Sequence, residues 1–386
     1  MEKNTLLEQK QTNLMKALNR EEGAYVPTYI NSSNATISWT GKRAVDVIDD
    51  PVAFAKALNA VYYEMWVDAL VVTGNTFTTK LERALPNAQT KFAPDGTTPM
   101  HLQSSPMNAD EYDQLIANPT KFIADVLLPR RHPHLFESRD AAKESLKLYA
   151  EDRFYSLIQL SAAVEKDLLE NHGVAPMVSM QKMIQTPLDM LFDFFRGFRG
   201  TLTDLRRQPE KVKAALDVIW EQRCAPTLEQ LSQGAYPFAV QYPHIPAYLS
   251  PKQFDELYWV HEKQYIEKIA AGGGKVYMVM EGRWEKIWHR FLELPKDSCI
   301  LHVDDDDIFK AHKELGHHQI ISGGAKASDL RLKPFDKVKD DVKRVLDTCA
   351  PGGGFLFCTD KCWIAPGDVN QALIDTFNFV HEYTSK

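Results

Sequence analysis

The chain has 386 residues, 44% of them hydrophobic and 25% charged, with a formal net charge of −7 at pH 7. That length admits two domains or one elaborated β/α barrel, which needs about 250 residues before insertions; the acidic balance argues against phosphate backbones and anionic membranes, which select basic surfaces. The N-terminal decapeptide lacks a signal-peptide core and no apolar run nears the ~20 residues of a membrane span, while five sparse cysteines (Cys224, Cys299, Cys349, Cys358, Cys362) suit a reducing cytoplasm, the location expected here.

In chain order, the first strand candidates are Ala69–Thr73, Thr98–Gln103 and Ala175–Met180, with Tyr25–Ile30 as an alternative to the second. Two long helical stretches, about 110–128 and 138–171, exceed simple connections and are expected to form an insertion or cap. The segment Phe192–Phe198 is dense in phenylalanine, which reads as core packing, with an apolar wall for a flat ligand as the alternative. Tyr236–Gln241 is the next strand. Ser250 and Pro251 open a helix that runs to Ala271, and Gly272-Gly-Gly274 stops it.

The rhythm then repeats. Lys275–Met280, Cys299–Val303, His318–Ser322 and Gly354–Cys358 are short apolar strands. Trp284–Leu294, Asp305–Leu315, Phe335–Cys349 and Val369–Tyr383 are helices at 3.6-residue spacing. Strands alternating with amphipathic helices build parallel βαβ units. Eight of them close a barrel, so the expected architecture is α/β: a single (β/α)8 barrel over residues 1–386, with helical insertions. A doubly wound open sheet is the runner-up, and no G-x-G-x-x-G follows a strand to support it.

In such barrels reactive residues sit where the strands end. The polar residues there are Gln181, Gln241, Tyr242, His244, Glu281, His302, Asp304, Ser322, Cys358 and Cys362. Gln241, Tyr242, His244 and Ser322 are candidate substrate contacts. Glu281 and His302 are candidate catalytic groups and, with Cys362 or else Cys358 or Asp304, a candidate zinc set, because catalytic zinc takes three His, Cys or carboxylate ligands. Plainer roles stay open for each: Glu281 as a helix cap, His302 as a structural histidine, Cys358 as core, Cys362 as a loop thiol. Asp304–Asp307 read as a helix N-terminal turn, where carboxylates suit the dipole. Gly352-Gly-Gly354 precedes a strand and reads as a tight turn, not a phosphate cradle.

Several stretches resemble the C-terminal half of the uroporphyrinogen decarboxylase superfamily: Leu249-Ser-Pro-Lys-Gln-Phe254, Glu281-Gly-Arg-Trp284, Leu294-Pro-Lys296, His302-Val-Asp-Asp-Asp-Asp-Ile-Phe-Lys310, Ile321-Ser-Gly-Gly324 and Pro351-Gly-Gly-Gly-Phe355. A fainter likeness lies at Leu18-Asn-Arg20 and Val26-Pro27. True decarboxylases of that superfamily grip a tetrapyrrole with eight carboxylates, using an arginine-rich N-terminal segment and an Asp after an early strand. Here Tyr25–Trp39 is not arginine-rich, and Thr73-Gly-Asn-Thr-Phe77 has no carboxylate. The other branch, corrinoid-dependent methyltransferases, includes ether-cleaving members with the Glu–His spacing of Glu281 and His302. Asp304 stands where coenzyme M methyltransferases carry a Cys. The resemblance thus implies an O-demethylase component: zinc held near Glu281, His302 and Cys362, a corrinoid protein as partner, and a small methoxylated, aromatic donor. Trp66, Phe77, Phe194, Phe198 and Tyr242 are candidates for the ring wall. A metal-free lyase is the alternative, and a non-catalytic barrel the third reading.

Overall fold

The computed structural model describes residues 3–71, 90–102, 104–177, 183, 185–232 and 238–386. Ten strands are found among them: β1 (Tyr29–Ile30), β2 (Ala69–Leu70), β3 (Thr90–Phe92), β4 (Pro99–His101), β5 (Ala175–Pro176), β6 (Phe238–Gln241), β7 (Lys275–Met280), β8 (Cys299–Val303), β9 (Ile320–Ala325) and β10 (Phe355–Thr359). A five-stranded parallel sheet runs β10-β9-β8-β7-β6, and a three-stranded one runs β1-β2-β5. Parallel bridges Thr28–Phe357 and Ser32–Trp363 join β1 to β10, and Met183–Val240 joins the segment after β5 to β6. The eight parallel strands form a (β/α)8 barrel.

Side-chain alternation explains the closure. Tyr29, Val240, Tyr277, Ile300, Ile320 and Leu356 make one buried cluster that fills the barrel. Their strand neighbours Ile30, Ala239, Met278, Leu301, Ile321 and Phe357 belong to the larger cluster under the helices. A strand buried on both faces reads as a continuous apolar run, which is why the second half of the sequence was legible. Leu14, Ala17 and Leu18, from the first helix (Lys3–Leu18), join the inner cluster and plug the N-terminal end.

One expected strand is corrected. Thr98–Gln103 is not a barrel strand: β4 pairs antiparallel with β3 as a hairpin outside the barrel. The alternative segment Tyr25–Ile30 supplies β1. Trp284–Leu294 is also shorter than expected, a 3-10 turn over Trp288–Glu293. The parts of the early strands beyond Val71 and Met177, together with Thr73, Phe77 and Gln181, lie outside the described residues.

The second long helical stretch is continuous over 139–172, about 50 Å at 1.5 Å per residue. Its later part packs on the helix Pro51–Asn59, where Asn59 Nδ2 donates to the Val164 carbonyl at 3.2 Å. Its end meets the first helix, with Lys10 Nζ donating to the His172 carbonyl at 3.4 Å. This portion is the crossover into β5. Ser250 caps its helix as expected, in a reciprocal pair with Gln253.

At the N-terminal rim, Arg20 holds three loops together. Its guanidinium donates to Asp297 at 2.6 Å, to the Gly316 carbonyl at 2.6 Å and to the Gln319 carbonyl at 2.9 Å. Gly353, at φ 74°, packs so tightly on the Arg20 backbone that a Cβ would sit 2.8 Å from the Arg20 carbonyl carbon. The triple glycine is thus the expected turn into β10. Arg20→Ala should lower folding stability by about 2–3 kcal/mol, the worth of charge-assisted hydrogen bonds to groups left half-buried. Urea unfolding should move the midpoint with the slope unchanged, and an unshifted midpoint would refute the clamp.

Candidate active site

The C-terminal strand ends gather Asn31 after β1, Tyr242 and His244 after β6, Glu281 after β7, Asp304 after β8, and Asp360, Lys361 and Cys362 after β10. Beneath them lies a buried polar network. His302 Nε2 is 3.0 Å from the Asp360 carbonyl oxygen, which can only accept, so Nε2 carries the proton. Burial disfavours the imidazolium of His302, so Nδ1 keeps its lone pair and accepts from the Tyr29 hydroxyl at 2.7 Å. The Ser322 hydroxyl is 2.9 Å from Tyr29 and the Tyr277 hydroxyl 3.2 Å. His302 and Ser322 are therefore floor residues tying β1, β7, β8 and β9 together.

A second group forms at the β6 loop. His244 Nδ1 sits 2.9 and 3.0 Å from the two oxygens of Asp193, and its Nε2 lies 3.7 Å from Glu281. Burial pushes the His244 imidazolium down, but the hydrogen bond and charge of Asp193, with Glu281 and Asp189, more than reverse it, to about 9. Burial raises Glu281, which His244 opposes and the carboxylates of Asp304, Asp189 and Asp193 reinforce. Asp189 accepts from the His244 and Ile245 amides at 3.1 and 3.2 Å and from the Tyr258 hydroxyl at 2.8 Å. Its burial, with the Asp193 charge, lifts it to about 6. His101 of β4 feels the charges of His244 and Asp193, so the hairpin lies beside this end of the mouth.

Behind β6, Gln241 Nε2 donates to Glu262 at 3.1 Å. Glu262 is fully buried, and burial with the Asp189 charge raises it to about 8. Gln241 is therefore a buried partner of Glu262.

The zinc set expected from the sequence does not assemble. Among the described residues no three His, Cys, Asp or Glu side chains are placed to hold a metal ion. Both ring nitrogens of His302 are committed within the barrel. Cys358 is buried in the inner cluster, its thiol pushed up to about 12 by burial. Cys362 is likewise raised to about 12 by burial, with the Cys358 and Glu281 charges adding; its thiol donates to Asn31 Oδ1 at 3.6 Å. Asp304 accepts from the Gly282 amide at 2.8 Å and pairs with Lys361. These residues, so arranged, do not fit zinc.

The acidic run proves to be more than a helix start. Asp307 alone caps the helix Ile308–Leu315. Asp306 accepts from the Trp284 amide at 2.6 Å, and Asp305 pairs with Lys361 at 2.7 Å. Trp66 is removed from the candidate ring wall: it precedes β2, at the opposite end, and stacks on His381 with centroids 3.6 Å apart. In the aromatic segment Phe195 is buried. Phe192 and Phe198 touch each other and Tyr248, Phe198 and Tyr248 being exposed, so this segment serves both core and surface. Phe194 lies under the Arg131 guanidinium. Sequence reading missed Asp189, Asp193, Tyr29 and Asn31. The one available signal was Asp193 itself, a carboxylate inside an apolar run.

Two measurements test these electrostatics. Asp193→Asn should bring His244 from about 9 down to or below the ordinary histidine value of about 6.5, read by NMR titration of its ring protons; no change would refute the pairing. Between the ordinary glutamate value of about 4.5 and about 8, folded Glu262 keeps a proton that the unfolded chain has lost, so stability falls as pH rises through that window. Glu262→Gln should reduce the fall in urea midpoint between about pH 5 and 9; equal falls in both proteins would sink the assignment.

With the site in view, its relatives can be compared. A methyltransferase from Methanosarcina mazei has the same fold, with a TM-score of 0.62 at 14% identity, covering 97% of this chain and 98% of that one. No curated protein matches the sequence. No helix among the described residues is long and apolar enough to cross a membrane. The family pattern of uroporphyrinogen decarboxylase (URO-D) matches residues 162–383, more than half the chain, which runs from the crossover into β5 through the last helix. The chain belongs to the uroporphyrinogen decarboxylase family.

Proposed function

We propose that this protein is a corrinoid-dependent methyltransferase, an O-demethylase component that moves a methyl group from a small methoxylated arene to the cobalt of a partner corrinoid protein. The observation that carries this over porphyrinogen decarboxylation is the charge of the mouth. Asp189, Asp193, Glu281 and Asp304 gather there, and among the described residues no arginine cluster faces them. A substrate with eight carboxylates needs converging cations. A neutral methoxyarene has no such need. The structural likeness to a protein named a methyltransferase supports the same branch.

The corrinoid of the partner would supply a cobalt(I) nucleophile for the methyl carbon, with the C–O electron pair left on the departing oxygen. The chain's own residues meet that developing charge. His244, oriented by Asp193 at Nδ1, presents Nε2 on the Glu281 side. Its Nε2–H is the donor best placed to give the leaving oxygen a proton, a role typically worth 10²–10⁴ in rate. Glu281 returns the negative charge that keeps the imidazolium protonated. Tyr242, directly after β6, packs on the inner cluster and is a candidate to contact the ring. Exposed Leu102, Met183, Tyr248 and Ile364, on segments that follow strands or flank the hairpin, and Phe198, at the start of the helix Gly197–Arg207, provide apolar surface of the kind a docking partner covers. Zinc assistance through Glu281, His302 and Cys362 would require His302 to give up one of its two partners, and no residue role here passes through zinc.

The test is methyl transfer from a panel of methoxyarenes to free cob(I)alamin, followed by the absorbance of methylcobalamin. Product is expected with at least one donor, and its formation should drop by about 10²-fold in His244→Ala. No methyl-cobalt product with any donor, or carbon dioxide released from a porphyrinogen instead, would overturn the reading.

A further inference from the structure

Asn31 stands directly after β1, its backbone locked to the loop that carries Cys362. The Trp363 amide donates to the Asn31 carbonyl at 3.1 Å, and the Ser33 amide to the Trp363 carbonyl at 3.0 Å. The side chain is as firmly held at one end. Its Oδ1 accepts from the Tyr242 hydroxyl at 3.3 Å and from the Cys362 thiol at 3.6 Å. The other end of the amide is different: Nδ2 is buried and has no partner among the described residues, in a residue only 5% exposed.

An amide is planar, so fixing its oxygen fixes its nitrogen. Rotating it by half a turn would bring Nδ2 to Tyr242 and Cys362 but strand the oxygen. Tyr242 and Cys362 both carry protons to give, which favours the orientation observed. A buried donor left unpaired costs free energy that native structures seldom leave uncompensated. The missing acceptor must be small. It must also reach a point between β1, the β6 loop and the β10 loop, where Tyr242 and Cys362 both sense the charge of Glu281.

We propose that Asn31 is a substrate-binding residue, whose Nδ2 donates to an oxygen lone pair of the methyl donor and so selects oxygen-bearing donors over quaternary ammonium compounds. The proposal rests on the methyltransferase reading and names the substrate feature that this part of the mouth accepts. A tetraalkylammonium has no lone pair and would leave the donor unpaired, whereas a site built to hydrogen-bond one substrate discriminates strongly against an analogue that lacks the acceptor. Asn31 orients the substrate and takes no part in the proton transfer.

The experiment uses the full chain, Asn31→Ala and Asn31→Asp, each checked for an unchanged cooperative thermal transition. Asn31→Asp keeps the acceptor for Tyr242 and Cys362 and removes the N–H, and Asn31→Ala removes both. Two quantities are read: KM and kcat for methyl transfer from 2-methoxyphenol to cob(I)alamin, and the calorimetric Kd of catechol, the demethylated product. Expected is a rise in KM and in the catechol Kd of about tenfold or more in Asn31→Ala, with kcat at saturation within a fewfold, and a matching loss in Asn31→Asp at alkaline pH, where the new carboxyl holds no proton. Wild-type KM and Kd in folded Asn31→Ala would overturn the proposal, as would a wild-type preference for tetramethylammonium. If the wild type transfers no methyl group, the parent reading fails, and calorimetry still decides the role of Asn31. Catechol binding lost in Asn31→Ala supports it; equal binding, or none to the wild type, as for a site that holds ordered water only, overturns it.

Discussion

The Tyr29 hydroxyl is the interior joint of the barrel. It reaches His302 of β8, Ser322 of β9 and Tyr277 of β7 from a strand only two residues long. A strand that short contributes few ladder bonds, so side-chain bonds across the interior add to its hold on the sheet. The same joint decides what the site can do. It consumes the one lone pair that His302 has, because the other nitrogen is already committed to the Asp360 carbonyl. A histidine so placed stiffens the floor of the mouth and cannot at the same time serve as a ligand above it.

Chemistry is thereby displaced to the β6 loop. His244 is flanked by Asp193 and Glu281, and Asp189 holds the loop backbone by two amides. Crowding carboxylates around one imidazole in a buried setting raises the affinity of His244, Glu281 and Asp189 for their protons. The arrangement favours a protonated histidine at neutral pH and disfavours polyanionic ligands, which is the physical basis for preferring methyl transfer to decarboxylation of a polycarboxylate. Asn31 complements it from across the mouth, with a donor that is neutral and fixed.

Legibility in the sequence followed burial. The strands β6 to β10 are mostly apolar because both their faces are covered, and turns such as Gly352-Gly-Gly354 flank them. β1, β2 and β5 are described as two-residue pairs, too short for any period to declare itself, and the antiparallel hairpin at 90–101 imitated a barrel strand. The Asp304–Asp307 run read as a helix start because one of its members is a cap; the remaining three hold neighbouring loops, which no local pattern announces.

The sequence by itself determined that parallel strands alternate with helices and that Tyr242, His244, Glu281, His302, Asp304 and Cys362 lie near strand C-terminal ends, since strand direction and residue order fix which end each occupies. Only the tertiary structure decided their partners. His302 turns to Tyr29 and Asp360, Cys362 to Asn31, and Glu281 to His244, because a partner is set by where side chains point once distant strands meet. Hydrogen bonds act over about 3 Å, a range on which order along the chain carries no information.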